Sequence, residues 1–212
     1  MTMKPIKEDG RSLRAKNIYD EKHKKLVNTA IDLLNNPLIS NEKINISLIA
    51  KHAGTSTATA YNHFPDNLLD VYGSIFAIAF QDVVNEVQHY NQTESNPVKQ
   101  ISHYIDTQVN ACIKLGNAVR EGFFQFRDLL NSNKWIQGEP HSFLLAMCEE
   151  YKKVNTDIDP KLLADDIFVL WNGNIYLWMR FNPDFELWSK FNDEWLKLEM
   201  KKIVDKAISL QK

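Results

Sequence analysis

The residues around Gly54 restrict the fold of this chain more than any other part of it. Apolar side chains precede the glycine at the spacing of one helix face, namely Ile46, Ile49, Ala50 and Ala53. Asn45 can cap the start of this helix, and Gly54 can end it, because glycine readily adopts the left-handed conformation of a sharp reversal. Ser56 can then cap another helix. The sequence predicts two short helices joined by a tight corner.

The second helix of this corner, from Thr57 to about Phe64, buries little surface. Ala60 and Phe64 define its inward face, and Pro65 marks its end. At the angular spacing of a helix the other side chains are outward (Ala58, Thr59, Asn62) or on the flanks (Thr57, Tyr61, His63). Asparagine pairs bidentately with adenine, small methyl groups contact thymine, and hydroxyl or imidazole groups can bind phosphates. The pattern favours a helix-turn-helix that reads the major groove of DNA.

The run from Ile49 to Phe64 resembles the DNA-binding segment of the tetracycline-repressor (TetR) family of bacterial transcription regulators. The family has roughly Ile-Ala-x-x-Ala-Gly-Val-Ser-x-Gly-Thr-Leu-Tyr-x-His-Phe, and this chain reads IAKHAGTSTATAYNHF without a gap. The resemblance extends from His23 to about Tyr72. The chain departs from the pattern at three packing positions, which are Thr55, Ala58 and Ala60.

The resemblance implies an all-α homodimer, usually a repressor, whose affinity for operator DNA falls when a small molecule enters the C-terminal domain. It also implies that ligand binding changes the separation of the two recognition helices, which must fit adjacent major grooves. Asn67 stands where relatives carry a phosphate-contacting lysine, so we expect Lys24, Lys25 or the N-terminal arm to supply that charge. The predicted DNA-binding residues are Lys24, Lys25, Ser56, Thr57, Ala58, Thr59, Tyr61, Asn62 and His63.

Basic residues are concentrated near the N-terminus, although the formal net charge of the whole chain is −2. Residues 1–19 hold few apolar side chains and show no helical period, so we predict a flexible basic arm there. We predict a helix-turn-helix domain over residues 20–70 and a helical ligand-binding and dimerisation domain over residues 71–212. The fold class expected is all-α, a three-helix N-terminal domain followed by a larger helical one.

The rest of the chain predicts long helices separated by Asn-Pro, Asp-Pro and Gly-containing breaks. Their expected ranges are 67–90, 97–115, 117–131, 139–154, 160–181 and 184–209. The longest apolar run, residues 75–80, is far shorter than the ~20 residues of a membrane span. We therefore expect a cytoplasmic protein without membrane association. The two cysteines have neither disulfide nor zinc spacing, and we expect core thiols.

Aromatic side chains are concentrated in the C-terminal part, with 20 of the 23 after residue 70. Those of the middle helices either fill the core or enclose a cavity for an apolar or aromatic effector. If a cavity exists, the candidate ligand-binding residues are Asn110, Cys112, Arg120, Phe123, Phe124, Arg127, Trp135 and Phe143.

Large aromatics also mark the last two predicted helices, where they suit either a subunit interface or the core. A glycine within one of them, Gly173, would let another backbone approach closely. The resemblance implies that these helices form a four-helix dimer bundle. The predicted dimer-interface residues are Trp171, Gly173, Asn174, Trp178, Trp188, Phe191 and Trp195.

Other classes of function have weaker support in the sequence. It holds no phosphate-binding glycine loop, nucleophile elbow, paired-histidine zinc helix or dinucleotide fingerprint, so we expect neither an enzyme nor a cofactor. Glu86 and His89 have the spacing of one half of a di-iron site, but only one such pair occurs, and no metal site is expected. The alternative that remains is a helical co-activator or adaptor without specific DNA binding.

Overall fold

The computed structural model describes residues 10–122 and 139–211, which contain helices, turns and irregular connections but no strand. The prediction of an all-α fold is therefore confirmed. The chain divides into two compact units, Met1–Ile75 and Phe76–Lys212, and the division falls within a helix.

The first unit is built from three helices around a small apolar core. Helix α1 spans Gly10–Leu34, α2 spans Ile46–Ala53 and α3 spans Thr57–His63, with a 3-10 turn at Asn41–Lys43. Helix α4, Leu68–Asn91, begins in this unit. The core consists of side chains almost fully withdrawn from solvent, chiefly Leu26, Val27, Ala30, Ile46, Ile49, Ala60 and Phe64. These residues hold the α2–α3 corner on α1 through hydrophobic burial.

Helix α1 begins at Gly10, ten residues before the predicted start at Asp20, so residues 10–19 are helical rather than an irregular arm. All of these residues are exposed, and they have no apolar face that packs on a core. The prediction relied on hydrophobic period, which an exposed helix does not need. Residues with good helix propensity, such as Arg14, Ala15 and Lys16, continue the helix instead.

The corner between α2 and α3 has the predicted caps. The Asn45 side chain accepts a 2.9 Å hydrogen bond from the Leu48 N–H, and Gly54 has φ 66° and ψ 37°, in the left-handed region. The Ser56 hydroxyl accepts a 3.1 Å hydrogen bond from the Thr59 N–H, which starts α3. Each helix end therefore has a partner for backbone groups that would otherwise lack one.

The second unit contains the rest of α4 and seven further helical segments within the described residues. These are α5 Pro97–Leu115, α6 at residues 117–122, α7 Glu139–Val154, α8 Pro160–Met179, α9 Glu186–Ser189, α10 Asp193–Met200 and α11 Ile203–Leu210. The bounds predicted for α5 and α7 are confirmed, while the predicted extension of α6 to residue 131 lies outside the described residues. The core of this unit is formed by α5, α7, α8, α10 and α11, and its largest fully buried side chain is Trp178.

The prediction of one helix over residues 184–209 is wrong, because three short helices occupy that range. Asn192 interrupts it: its side chain accepts a 2.9 Å hydrogen bond from the Trp195 N–H and so caps a new helix. Acidic residues at 193 and 194 fit the positive end of the α10 dipole. The aromatic spacing of this segment obscured an N-cap signal that the sequence contains.

Helix α4 is long and apolar enough to cross a membrane by length and composition alone. Core helices of soluble proteins pass the same test, and α4 carries Asp70, Asp82 and Glu86. Two of its valines, Val83 and Val87, are buried in the second unit. Packing accounts for only part of its hydropathy, because 22% of the apolar stretch of α4 is buried.

Candidate functional site

The exposed surface of α3 is the candidate nucleic-acid interface. Thr57, Ala58, Tyr61 and Asn62 are exposed, and Tyr61 retains 43% of its accessible surface although it is a large aromatic. The inward face is occupied by Ala60, which is fully buried. The helix thus presents amide, hydroxyl, phenol and methyl groups, which are the types that contact base edges and phosphates in a major groove.

Two predicted DNA-binding residues of this corner, Ser56 and Thr59, already form hydrogen bonds with each other. Ser56 is exposed, but its hydroxyl accepts from the Thr59 N–H and lies 2.8 Å from the Thr59 hydroxyl. The Thr59 side chain is half-buried. A hydroxyl has one donor and two acceptor sites, so Ser56 retains the capacity for one further hydrogen bond.

His63 is buried, retaining 7% of its accessible surface, which contradicts its predicted place on an exposed flank. Its ring centroid lies 4.1 Å from that of Tyr19 and 5.5 Å from that of His23, both on α1. The physical reason is helical geometry: positions 60, 63 and 64 have the i, i+3, i+4 spacing of one face. That spacing was visible in the sequence. The side chain joins α3 to α1 and is not available to a phosphate.

Burial disfavours the protonated form of the two histidines beneath α3, His23 and His63. Burial lowers the pKa of His23, against the opposing influence of Asp20 and Asp70, and burial lowers the pKa of His63 as well. The His23 Nε2 lies 3.1 Å from the Ser74 hydroxyl on α4. The Nδ1 atoms of both rings are buried without a hydrogen-bond partner among the described residues. Among the described residues no carboxylate forms an ion pair with either ring, so protonation would bury an unpaired charge.

The cationic residues proposed from the sequence lie on the surface of α1. Lys24 and Lys25 are exposed, as are Arg14, Lys16 and Lys22 on the same helix. Asn67, where the family pattern has lysine, is exposed with φ 60°. Asparagine tolerates this left-handed conformation better than most residues, so the departure has a local structural reason.

The second unit contains a cavity of about 190 Å³, framed by α4, α5, α6, α7 and α8. Its wall is predominantly apolar, and the residues that give it shape include Phe76, Phe80, Ile105, Leu144, Ile167 and Trp171. An apolar concavity with a few polar groups is typical of small-molecule sites.

Seven of the eight predicted ligand residues, all but Arg120, divide into four groups. Cys112 lines the cavity, and burial raises the pKa of its thiol to about 12, which keeps the thiol neutral. Asn110 is exposed and outside the cavity wall, so its prediction is wrong, because it lies on the outer face of α5. Phe143 packs against Tyr104, with ring centroids 5.2 Å apart, and does not line this cavity. The other predicted residues, Phe123, Phe124, Arg127 and Trp135, lie outside the described residues.

Arg120 also does not line the cavity, since its guanidinium is engaged elsewhere. The guanidinium carbon lies 4.5 Å from the centroid of the Trp178 ring and 5.5 Å from that of Phe181. A terminal nitrogen lies 3.8 Å from Asp193 Oδ1, which also accepts a 2.8 Å hydrogen bond from Trp178 Nε1. Arg120 therefore ties α6 to α8 and α10 and is a structural residue.

The predicted dimer-interface residues do not share one surface. Trp178 is fully buried inside its own unit, where Arg120 and Asp193 contact it, and the prediction for Trp178 is therefore wrong. Phe191 is nearly buried between Trp188 and Trp195. Trp171 lines the cavity. Trp188 and Trp195 are half-buried around Phe191, Asn174 is half-buried, and Gly173 is exposed.

A different surface of α8 is apolar and exposed. Leu162, Val169 and Tyr176 retain 50%, 68% and 44% of their accessible surface and recur at seven-residue intervals on one face, with Gly173 between them. We call these four residues the α8 stripe. The seven-residue spacing of these side chains is visible in the sequence, but the predicted dimer interface rested on the neighbouring aromatic residues.

No protein-family model matches the chain, and no curated protein matches it. Among solved structures, the chain resembles a protein from Syntrophomonas wolfei assigned in its description to the TetR family of transcriptional regulators. The TM-score is 0.60 over 91% of this chain and 95% of the other, at 14% sequence identity. The likeness concerns the fold, and it covers both units.

Proposed function

We propose that this protein is a sequence-specific DNA-binding transcription regulator. The observation that carries the proposal is the capped α2–α3 corner, whose second helix buries few of its side chains. The residues that this helix exposes are Thr57, Ala58, Tyr61 and Asn62. The TetR-like sequence of this corner and the likeness of fold to a TetR-family regulator support it. The partner proposed is double-stranded operator DNA.

In this proposal Asn62 reads a base edge and its neighbours fix the helix on the backbone. The Asn62 amide would pair with adenine, and the Ala58 methyl would contact a thymine methyl. Tyr61 and Thr57 would donate to phosphates, while Lys24 and Lys25 supply positive charge.

The test is a gel shift and footprint with DNA flanking the gene of this protein, at a stated salt concentration. We expect Asn62→Ala to weaken binding by about 1–3 kcal/mol and to relax the preference at one base pair. Asn110→Ala is the matched control, because it makes the same change at an exposed helical position of the other unit. Equal affinity for all sequences, unaffected by Asn62→Ala, would contradict the proposal and favour the adaptor alternative.

We further propose a homodimer that forms through the α8 stripe. Apolar side chains this exposed gain from burial, and a glycine among them allows close approach of a second backbone. Val169→Glu should lower the sedimentation mass from dimer to monomer. Val154→Glu, at a valine that is 70% exposed at the end of α7, should not. A dimer retained in Val169→Glu would remove the stripe from the interface.

The regulatory role proposed is that of a cytoplasmic repressor, released from its operator by a small apolar or aromatic effector. The cavity of the second unit supports an effector site, and release requires only that the effector bind the DNA-free state more tightly. The test is a screen of small molecules by thermal shift, followed by the gel shift with each hit. Hits that stabilise the protein but leave DNA affinity unchanged would contradict the regulatory role.

A further inference from the structure

The two flanks of helix α3 differ in the side chains that they present. Thr57 and Tyr61 are four residues apart, so they share one flank, and both are exposed. Thr59 and His63 share the opposite flank by the same spacing. Thr59 is half-buried, with its hydroxyl 2.8 Å from that of Ser56, and His63 is buried. Side chains of the first flank can therefore reach an outside phosphate more readily than those of the second.

Tyr19 of helix α1 lies against the second flank. Its ring centroid is 4.1 Å from that of His63 and 6.3 Å from that of His23. Packing on these rings still leaves Tyr19 with 48% of its accessible surface. Its hydroxyl forms no hydrogen bond within residues 10–122 and 139–211. The ring is thus held by its neighbours, while the hydroxyl remains available to an acceptor outside the protein.

Lys22 brings positive charge to the same place. It comes three residues after the tyrosine, which makes the two side chains neighbours on α1. Burial, His23 and the charge of Lys22 all lower the pKa of His63, so the lysine lies near the C-terminal end of α3. Burial also lowers the pKa of His23, and the carboxylates of Asp20 and Asp70 oppose that effect. Lys22 itself is exposed and forms no ion pair in the described part of the chain, so its charge is available to an anion that binds beside α3.

A recognition helix in the major groove lies between two phosphate backbones, one beside each flank. We propose that Tyr19 and Lys22, the α1 pair, bind the backbone beside the second flank. The Tyr19 hydroxyl donates to a phosphate oxygen, and Lys22 neutralises phosphate charge. The α1 pair thereby performs the role predicted for His63. The inference rests on the proposed DNA binding and extends that interface beyond the helix-turn-helix to α1.

Phosphate contacts have a signature that base contacts lack. They carry no sequence information, so the loss of one weakens binding to all sites by a similar factor. Loss of a neutral donor leaves the salt dependence of binding unchanged, whereas loss of a cation lowers it. Tyr19→Phe removes the hydroxyl and keeps the ring that packs on His63, so it tests the donor without removing the packing.

The test is a gel shift over a range of salt concentrations, with the footprinted operator and with a version changed at one base pair. The wild-type protein is compared with Tyr19→Phe and Lys22→Gln. Tyr90→Phe is the control for the tyrosine, because Tyr90 also stacks on a histidine, with its ring centroid 3.9 Å from that of His103 in the second unit. Lys114→Gln is the control for the lysine, at an exposed position of α5. Circular dichroism and the urea midpoint establish that each variant is folded.

We expect Tyr19→Phe to weaken binding to both DNA sequences about tenfold, the size of a hydrogen bond to a charged group, without changing the salt dependence. Lys22→Gln should lower the slope of log affinity against log salt by about 1 for each protomer bound. Neither control should change the affinity. Phosphate ethylation interference locates the contacts: Tyr19→Phe and Tyr61→Phe should relieve interference at different phosphates, on opposite sides of the groove.

Three outcomes would overturn the inference: wild-type operator affinity in Tyr19→Phe, an unchanged salt slope in Lys22→Gln, or relief of interference at the same phosphates by Tyr19→Phe and Tyr61→Phe. Asn62→Ala is measured alongside. If Asn62→Ala relaxes the sequence preference while one of these outcomes occurs, the DNA-binding proposal stands and only the role of α1 fails. Absence of sequence-specific binding by the wild-type protein would overturn both.

Discussion

Gly54 provides the most direct test of the corner. Its φ of 66° is in the left-handed region, where an L side chain costs roughly 1–2 kcal/mol. A Cβ built at this position meets nothing within 4 Å, so a steric contribution from neighbours is excluded. Alanine also stiffens the unfolded chain, which offsets roughly 0.4–1 kcal/mol. Gly54→Ala should therefore destabilise the first unit by about 1 kcal/mol, through backbone conformation alone.

The assay is urea denaturation followed by circular dichroism and by tryptophan fluorescence. All five tryptophans lie after residue 75, so their emission reports the second unit, whereas circular dichroism reports both. Gly54→Asn is the control, because asparagine tolerates the left-handed region, and it should recover part of the loss. Unchanged or increased stability of Gly54→Ala would refute the argument from φ. Equal losses in the two variants would do so too.

Three further predictions follow from contacts described above. Burial lowers the pKa of His23 and His63, so the unfolded chain binds more protons than the folded chain below about pH 6.5. The first unit should therefore lose stability as the pH falls through that range. A pH series of urea midpoints measures this loss, and His63→Phe should make the midpoint less dependent on pH. Trp178→Phe removes a 2.8 Å hydrogen bond to a carboxylate and part of a fully buried ring, and should cost about 2–4 kcal/mol in the unfolding free energy. Lys24→Ala with Lys25→Ala should lower the slope of log affinity against log salt by up to about 2 in the gel shift, and an unchanged slope would show that neither lysine contacts a phosphate.

Local signals predicted the first unit well. Caps at Asn45 and Ser56 and the reversal at Gly54 depend on neighbouring residues alone, so the sequence contains all the information needed. The start of α1 was missed because an exposed helix leaves no hydrophobic period. His63 was misplaced because the position of a polar ring depends on its neighbours in space, here Tyr19 and His23.

The second unit was predicted less completely, because its sites depend on packing between distant segments. Aromatic content left core and cavity as alternatives, and the sequence could not distinguish Trp171 on the cavity wall from Trp178 in the core, seven residues further along the same helix. The two differ through tertiary contacts, since Arg120 and Asp193 cover Trp178. Helical periodicity predicts which face of a helix a side chain occupies, but it does not predict which residues of other helices contact that face.

The cavity wall also bears on how such a fold diversifies. Ala79 and Ala111 adjoin open space, so a larger side chain at either position would fill a void rather than displace packed neighbours. Changes of one or two methylene groups there would alter which molecules fit while leaving the helical framework intact. In the proposed effector site, a wall of this kind would let ligand preference change without a change of fold.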